Sequence, residues 1–406
     1  MSDMKIPFSP PDVTDLECQE VREALLSGWI TTGPRTKAFE RQLRAWTGQP
    51  LVALNSATAA LELGLHLLGI GPGDEVIVPA YTYTATASVV LHVGASLRFC
   101  DSAQDSLEMD LEALAGLITE RTKAIIYVDL AGRLCAPAGL RRVVEAARTQ
   151  FRPSTERQEA LGRIALIADS AHAFGARQRV DGDWHGAGDI ADLTAFSFHA
   201  VKNLTTAEGG ALGWRVSGDF PEAEVYQELQ LLSLHGQSKD ALAKTRLGAW
   251  EYDILYPAYK CNMTDIHAAI GLKQLERYPE MLRRRRELVA RYDQELGKLG
   301  LKNLRPHDDA ENESSCHLYL AQLPGATELR RNAFISRMAE RGVALNVHYK
   351  PLPMMTAYRR LGFDIANFPR AFAHYQGECS FPLYSRMSDK EQTYVLEMAA
   401  RCLRAI

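Results

Sequence analysis

Two residues in the middle of the chain could carry covalent and acid-base chemistry. Lys202 follows the apolar run 193–198 and precedes Glu208-Gly209-Gly210, so it is placed to reach a cleft. Partial desolvation there would lower the pKa of the amine and make it nucleophilic. Asp169 ends the apolar run 164–168, and a carboxylate at the end of a parallel strand lies where α/β sheets bind ligands. Each also has a plain explanation, a surface lysine and a helix-capping aspartate.

Three further segments could bind a ligand with a phosphate and a flat ring. Small residues at 55–58 lie between an apolar strand and a helix, where backbone N–H groups bind phosphate well. Tyr83 follows a strand and offers a ring for stacking. His172 lies three residues after Asp169 and could contact a ring oxygen. The alternatives are Ser/Thr capping, a core tyrosine and a buried structural histidine.

Together these residues satisfy the demands of pyridoxal 5'-phosphate (PLP). This cofactor needs a lysine for a Schiff base, a carboxylate beside its pyridine nitrogen, a phosphate cup and a stacking surface. Lys202, Asp169, the 55–58 turn and Tyr83 supply one candidate for each. The sequence therefore predicts a PLP site.

The order and spacing of these segments resemble the sugar aminotransferases of the DegT/DnrJ/StrS family. The resemblance extends over nearly the whole chain and implies the aspartate aminotransferase (fold type I) architecture. The segments around Lys202 and Lys260 look closest to the branch that makes 4-amino-4-deoxy-L-arabinose on a UDP carrier. The matching segments are residues 28–34, 55–61, 71–79, 169–172, 197–203, 259–265 and 347–352.

The resemblance implies a role for each cofactor-binding residue. Lys202 would be the catalytic Schiff-base lysine, Asp169 would pair with the pyridine nitrogen, and His172 would lie beside O3'. The residues implied to hold the phosphate or to stack on the ring are Ala57, Thr58, Ser197 and Tyr83.

The resemblance also implies a dimer with a shared active site. Lys260 stands where many relatives have an asparagine that reaches the phosphate from the neighbouring subunit, and a lysine would bring a full charge to it. Thr31, His199 and His348 would contact the substrate, His348 by lining the sugar pocket. Two departures could change substrate contacts: Asp129, where many relatives have histidine, and the polar insertion 149–163.

The elements that must position these residues are an alternation of strands and helices. From about residue 50 to 215 the pattern predicts a mostly parallel sheet with helices on both faces. The predicted strands are 51–54, 75–79, 96–100, 123–128, 164–168 and 193–198, with a helix at 57–68 and a loop at 149–163. We therefore expect a large PLP-binding α/β domain over residues 1–264.

A smaller α+β domain is expected over residues 265–406. The pattern predicts one or two long amphipathic helices over 265–296, with Gly297 as a stop signal. Shorter helices are predicted at 332–341 and 389–403, and strands at 318–323 and 343–347. Two domains suit a chain of 406 residues.

Composition excludes several classes of protein. A net charge of -4 gives no basic footprint for nucleic acid, and the basic run 283–286 sits among glutamates as a solvated helix face. The seven cysteines form no C-x-x-C pair, so we expect neither a disulfide scaffold nor a metal site. The N-terminus lacks a signal-peptide pattern, and no run of about 18 apolar residues predicts a membrane span. The expected location is the cytoplasm.

The predicted reaction is a transamination in two halves. L-Glutamate would give its amino group to the cofactor, with Lys202 moving the proton, and a keto sugar on a nucleoside diphosphate would then take it. Lysine at 202 favours this over the family's dehydratase branch, which has histidine there. The acceptor could instead be a free keto sugar, a keto-cyclitol or an eight-carbon sugar acid. A fold-type-I lyase acting on amino acids and a non-catalytic PLP-binding protein are the remaining alternatives.

Overall fold

A seven-stranded sheet forms the centre of the larger part of the molecule. The computed structural model describes residues 4–215, 220–238, 251–325 and 327–406. The strands of the larger part are β1 (Leu51–Leu54), β2 (Glu75–Pro79), β3 (Ser96–Cys100), β4 (Thr122–Val128), β5 (Ala165–Asp169), β6 (Arg177–Val180), β7 (Asp183–Gly186), β8 (Leu193–Ser197) and β9 (Gly210–Trp214). The strand order in the central sheet is β1-β9-β8-β5-β4-β2-β3, and β9 alone runs antiparallel to the other six strands.

Helices cover both faces of this sheet, which confirms the predicted α/β architecture. Alternate residues of β2 show why its sequence is continuously apolar: Val76 and Val78 join one core cluster and Ile77 joins another, on the opposite face. The helices of this part are α1 (Asp15–Leu26), α2 (Pro34–Thr47), α3 (Ala57–Leu67), α4 (Thr84–His92), α5 (Leu111–Leu117), α6 (Pro137–Ala146), α7 (Glu156–Leu161) and α8 (Glu222–Ser233).

A single helix, α9 (Asp265–Lys298), connects the two parts of the molecule. Leu275 and Tyr278 in its first half pack with Phe39 of α2 in one core cluster, whereas Tyr292 and Leu296 pack in the core of the smaller part. The region predicted as one or two helices is therefore one. The predicted division at 264/265 falls where α9 begins, and we keep it as a proposal because α9 itself contributes to both cores.

The first residue of α9 also fixes the start of α2. Gly33, the N-cap of α2, has no side chain to accept the helix's first N–H groups. The buried carboxylate of Asp265 does so instead, accepting from the N–H of Gly33 at 2.8 Å and that of Thr36 at 2.9 Å. A negative charge at a helix N-terminus is favourable, so this contact ties α9 to the larger part.

The smaller part contains a three-stranded antiparallel sheet with helices packed against it. The N-terminal segment joins it, because Ile6 pairs with Val343. A short strand, β11 (Asn312–Glu313), pairs instead with β6 of the β6–β7 hairpin. The remaining elements are β10 (Lys302–Asn303), β11 (Asn312–Glu313), β12 (Tyr319–Gln322), α10 (Glu328–Glu340), α11 (Thr356–Arg360), α12 (Pro369–Gly377), β13 (Glu378–Phe381) and α13 (Asp389–Leu403), and the sheet order is β10-β12-β13.

Two predicted elements were wrong. The loop predicted at 149–163 contains α7, which Thr155 caps at its N-terminus and Gly162 closes with a left-handed φ of 67°. The strand predicted at 343–347 is not a strand. Val343 and Asn346 each form one isolated bridge, to Ile6 and Ser380 respectively, so no continuous ladder develops.

Candidate active site

A cavity of about 430 Å³ lies beyond the C-terminal ends of the central strands. Its walls come from the larger part and from the segments around 317 and 348 of the smaller part. This volume suits a cofactor and part of a substrate. Nine of the residues singled out from the sequence line it: Ala57, Thr58, Tyr83, Asp169, His172, Ser197, His199, Lys202 and His348.

Lys202 and Asp169 form the charged centre of the cavity. Lys202 sits in a tight turn, its N–H donating to the carbonyl of His199 at 2.9 Å. Burial lowers the pKa of its amine to about 8, and the charge of Asp169 opposes that shift. About a tenth of the amine is therefore neutral, and hence nucleophilic, at pH 7.

Asp169 is buried at the end of β5 and is held in a fixed orientation. Its Oδ2 accepts from Thr86 Oγ1 at 2.8 Å, and its Oδ1 accepts from the N–H of Ala171 at 3.2 Å. Burial raises the pKa of this carboxyl, while both hydrogen bonds and Lys202 act in the opposite direction. A cationic pyridine nitrogen placed against it would further favour the carboxylate.

His172 is held as one neutral tautomer. The N–H of Ala131 donates to its Nδ1 at 3.2 Å, so the ring proton must sit on Nε2, which faces the hydroxyl of Tyr349 at 3.1 Å. Burial lowers the pKa of His172 well below its usual value, and Lys202 adds to this. The ring lies 4.5 Å from that of His317. These contacts make His172 a fixed wall of the cavity.

The turn before α3 offers free N–H groups at the cavity. Ser56 caps α3 by accepting from the N–H of Ala59 at 3.1 Å. The N–H groups of Ala57 and Thr58 belong to the first turn, where no helical partner exists. A Cβ at Gly210 would lie 2.3 Å from the carbonyl carbon of Ser56 and 2.4 Å from the nitrogen of Ala57. The absence of a side chain there lets β9 hold the turn in place.

These features fit PLP. A phosphate can bind the N–H groups of Ala57 and Thr58 at the positive end of α3. Tyr83 lines the cavity and is 59% exposed, so its ring is accessible for stacking, and its centroid lies 5.9 Å from that of Tyr349. Lys202 and Asp169 then supply the amine and the carboxylate that the cofactor's aldehyde and ring nitrogen require.

Several cavity residues were not predicted from the sequence, among them Tyr349 and His317. The hydroxyl of Tyr349 contacts His172. The side chain of Asn203 holds His317: its Oδ1 lies 2.9 Å from His317 Nδ1, and its Nδ2 donates to the carbonyl of Ser315 at 2.5 Å. Tyr349 directly follows His348, so the matched segment 347–352 contained a signal for it. His317 had none, because its stretch of chain carries no recognisable motif.

Two predicted residues lie outside the cavity of this single chain. Lys260 is exposed and its amine bonds the side chain of Asn262. Thr31 uses its carbonyl to accept from the N–H of Asp265 at 3.1 Å. Lys260 was predicted to act on a neighbouring subunit's site, and both roles stay predictions.

The two departures from the family pattern lie behind or away from the cavity. Asp129 is buried beneath it, accepting from Ser170 Oγ at 2.5 Å and from the N–H of Cys135 at 2.8 Å, and burial raises its pKa to about 7. The insertion contacts the edge where the strands begin: Ser154 Oγ lies 3.0 Å from Asp74 Oδ1, just before β2. Neither lines the cavity.

Within the ranges that the structure describes, no three His, Cys, Asp or Glu side chains cluster to hold a metal ion. All seven cysteines are described and unpaired, six of them buried. No helix in the described part of the chain is long and apolar enough to cross a membrane.

Comparison with solved structures gives the same fold. The chain superposes on the PMP-form of a Streptococcus pneumoniae protein named as a sugar aminotransferase, Spr1654, with a TM-score of 0.95 and 51% identity over 99% of this chain and 100% of that one. The PLP-form of the same protein superposes with a TM-score of 0.94 and 49% identity, over 99% of each chain. PseC of Helicobacter pylori, an aminotransferase involved in the biosynthesis of pseudoaminic acid, superposes with a TM-score of 0.84 and 26% identity, over 99% of this chain and 100% of that one.

Fold, site and likeness together define a PLP-dependent sugar aminotransferase of fold type I. The sequence model of the DegT/DnrJ/EryC1/StrS aminotransferase family matches residues 11–399. Among curated proteins, the spore coat polysaccharide biosynthesis protein SpsC of Bacillus subtilis (strain 168) is 36% identical over 400 residues, 97% of this chain and 95% of that protein. The chain belongs to the DegT/DnrJ/EryC1/StrS aminotransferase family, as the sequence motifs indicated.

Proposed function

We propose that this enzyme transfers the amino group of L-glutamate to a keto sugar carried on a nucleoside diphosphate. The product would be an amino sugar for surface polysaccharide synthesis. One observation supports the amino transfer most directly: the amine of Lys202, with its pKa lowered by burial, shares a cavity with the buried carboxyl of Asp169. The polysaccharide role is supported by the name of the relative SpsC.

When bound, PLP supplies an aldehyde that receives the amino group and a ring that withdraws electrons. The residues of this chain would hold and steer it. Ala57, Thr58 and Ser197 would bind the phosphate, and Tyr83 would stack on the ring. Asp169 would keep the ring nitrogen protonated, and His172 would lie beside the O3' oxygen.

Lys202 has two roles in this proposal. It anchors the cofactor between turnovers, and once released it moves a proton between the substrate carbon and the cofactor. Its pKa near 8 suits this work, because a general base is most effective when its pKa lies close to the operating pH. His199 and His348 line the cavity where the substrate would enter.

The proposed enzyme is a homodimer whose subunits complete each other's sites with Lys260, and Thr31 is proposed to contact the substrate. Exposed apolar side chains support a contact between copies: Leu26, Leu255 and Ile30 are 70%, 54% and 50% exposed. Lys260 is exposed in the same stretch as Leu255, so an apposed subunit could receive it. The unpaired cysteines support work in a reducing compartment, the cytoplasm.

A test in two halves separates the proposal from its alternatives. PLP-loaded enzyme is first mixed with L-glutamate alone, and we expect one 2-oxoglutarate per site. The aminated enzyme is then offered a UDP-linked 4-keto-6-deoxyhexose, a free keto sugar, a keto-cyclitol and an eight-carbon keto sugar acid. Reaction with the nucleotide-linked ketone supports the proposal. Reaction with only an unlinked ketone would show that the acceptor is not nucleotide-linked. Release of ammonia from an amino acid alone would indicate a lyase.

A further inference from the structure

A buried carboxyl lies behind the cavity wall formed by His348. Glu378 opens β13 and is fully buried. Its Oε1 lies 2.6 Å from Ser380 Oγ, and Ser380 Oγ lies 2.8 Å from His348 Nδ1. Its Oε2 accepts from the backbone N–H of His348 at 2.9 Å. The carboxyl therefore contacts both the backbone and, through one hydroxyl, the ring of this histidine.

Two other contacts hold His348 in place, one at its ring and one at its backbone. Phe8 stacks on it with a centroid distance of 5.4 Å, and the hydroxyl of Tyr81 donates to its carbonyl at 3.0 Å. Since Nδ1 is engaged by Ser380, Nε2 is the ring nitrogen left for a ligand. No hydrogen bond joins Nε2 to any residue that the structure describes.

The two hydrogen bonds of Ser380 are linked, because its hydroxyl has a single hydrogen. An ionised Glu378 can only accept, so Ser380 donates to it and accepts from Nδ1–H of His348, which leaves a lone pair on Nε2. A protonated Glu378 can donate to Ser380, which then donates to Nδ1, and the ring hydrogen moves to Nε2. The charge on Glu378 thus decides the tautomer of a neutral His348.

We propose that Glu378 and Ser380 are positioning residues that set whether His348 accepts or donates a hydrogen bond in the acceptor-sugar subsite. With Glu378 ionised, Nε2 accepts from a sugar hydroxyl. With Glu378 protonated, Nε2–H donates to a carbonyl or ring oxygen. The assignment of this subsite to the sugar rests on the proposed function, whereas the linkage itself rests on the hydrogen bonds.

Near neutral pH the carboxyl of Glu378 changes its charge, whereas the ring of His348 does not. Burial raises the pKa of Glu378 to about 8, against the lowering effect of its hydrogen bonds and of Arg331. Burial and the charge of Lys202 lower the pKa of His348 to about 3, so its ring stays neutral. The titratable and charged groups that face Glu378 are Arg331 of α10, Tyr81 after β2, His348 and Tyr349 beside it, and Cys379 on its own strand.

Nitrogen-15 NMR of the PLP-loaded enzyme, labelled at histidine, reads the tautomer directly at about pH 6 and about pH 9.5. The resonances of His348 are those lost in His348→Gln. In the wild type we expect the ring proton to shift from Nε2 to Nδ1 as pH rises. In Glu378→Gln it should stay on Nε2 at both values, because the amide donates to Ser380 as the protonated carboxyl does.

Ser380→Ala should remove the pH response, and Ser380→Thr, which keeps the hydroxyl, should retain it. A His348 tautomer that is the same at both pH values in the wild type would overturn the proposal. So would a Glu378→Gln enzyme that follows the wild-type response.

The glutamate half-reaction of the wild type distinguishes the two proposals. If the tautomer responds to pH but no 2-oxoglutarate forms, the proposed function fails and the linkage stands. If 2-oxoglutarate forms but the tautomer does not respond, only this inference fails.

Discussion

Lys202 differs from an ordinary surface lysine through its surroundings. Removing the amine removes both the anchor and the proton carrier, so Lys202→Ala should slow the formation of 2-oxoglutarate from L-glutamate on the order of 10³-fold or more. Lys202→Arg is the matched control for charge, and it should be as inactive because a guanidinium stays protonated. Both variants should unfold near the wild-type temperature. Retention of more than about a tenth of the wild-type rate would contradict the role.

The same residue predicts a pH dependence for cofactor capture. The neutral amine attacks the aldehyde, and with a pKa of about 8 its fraction grows as pH rises toward that value and then levels off. The rate at which cofactor-free enzyme captures PLP should therefore rise about eightfold between about pH 6.5 and pH 7.5, and much less above about pH 8.5. Stopped-flow absorbance measures this rate. A rise that continues steadily to pH 10 would show an ordinary lysine pKa.

At the scale of elements, β9 and α3 meet so closely that one position decides the shape of the phosphate turn. A Cβ at Gly210 would collide with backbone atoms of Ser56 and Ala57, which cannot rotate away as a side chain would. Gly210→Ala should push the turn aside at a cost of about 1–3 kcal/mol and weaken PLP binding roughly tenfold. Equilibrium dialysis measures the affinity for PLP.

The matched control is Gly297→Ala, on α9. A Cβ there would meet no atom within 4 Å, and alanine is the better helix former. Its PLP affinity should be unchanged and its stability equal or higher. If Gly210→Ala behaves like this control, the close packing of β9 on the turn is not what shapes the phosphate site.

Asp169 and Lys202, two residues predicted from strand ends, line the candidate cavity. Asp169 and Lys202 could be found because an apolar strand precedes each polar residue along the chain. The contact of Tyr349 with His172 joins residues 177 positions apart, and the pair Glu378 and His348 meets between two segments 30 positions apart. The first contact depends on how the two parts pack together and the second on packing within the smaller part, and no local pattern encodes either. The short helix α7 was not predicted because its sequence is polar, although Thr155 and Gly162 are typical residues for its N-cap and C-cap.

At the scale of the whole molecule, the proposed dimer makes each site depend on two chains. Lys202→Ala and Lys260→Ala should each be inactive or strongly impaired as pure dimers. When the two are mixed and reassociated, the heterodimer contains one site with both lysines intact. Activity should then recover to about a quarter of the wild type, because half the dimers are mixed and each has one good site.

The measurement is amino transfer after co-expression or reversible dissociation of the two variants. A mixture of Lys202→Ala with Lys202→Arg is the control and should stay inactive. No recovery in the first mixture, with heterodimers shown to be present by mass, would mean that Lys260 serves its own chain or no site at all.

The close contact at Gly210 also limits which mutations the gene can accept at this codon. Every missense change in a glycine codon adds a Cβ, so at codon 210 no single-base change that alters the residue leaves the backbone contact intact. Codon 297 also encodes glycine, but a Cβ on residue 297 would point into open space, so alanine or serine can replace this glycine. In a mutagenised population selected for the amino sugar, missense changes should therefore be depleted at codon 210 relative to codon 297.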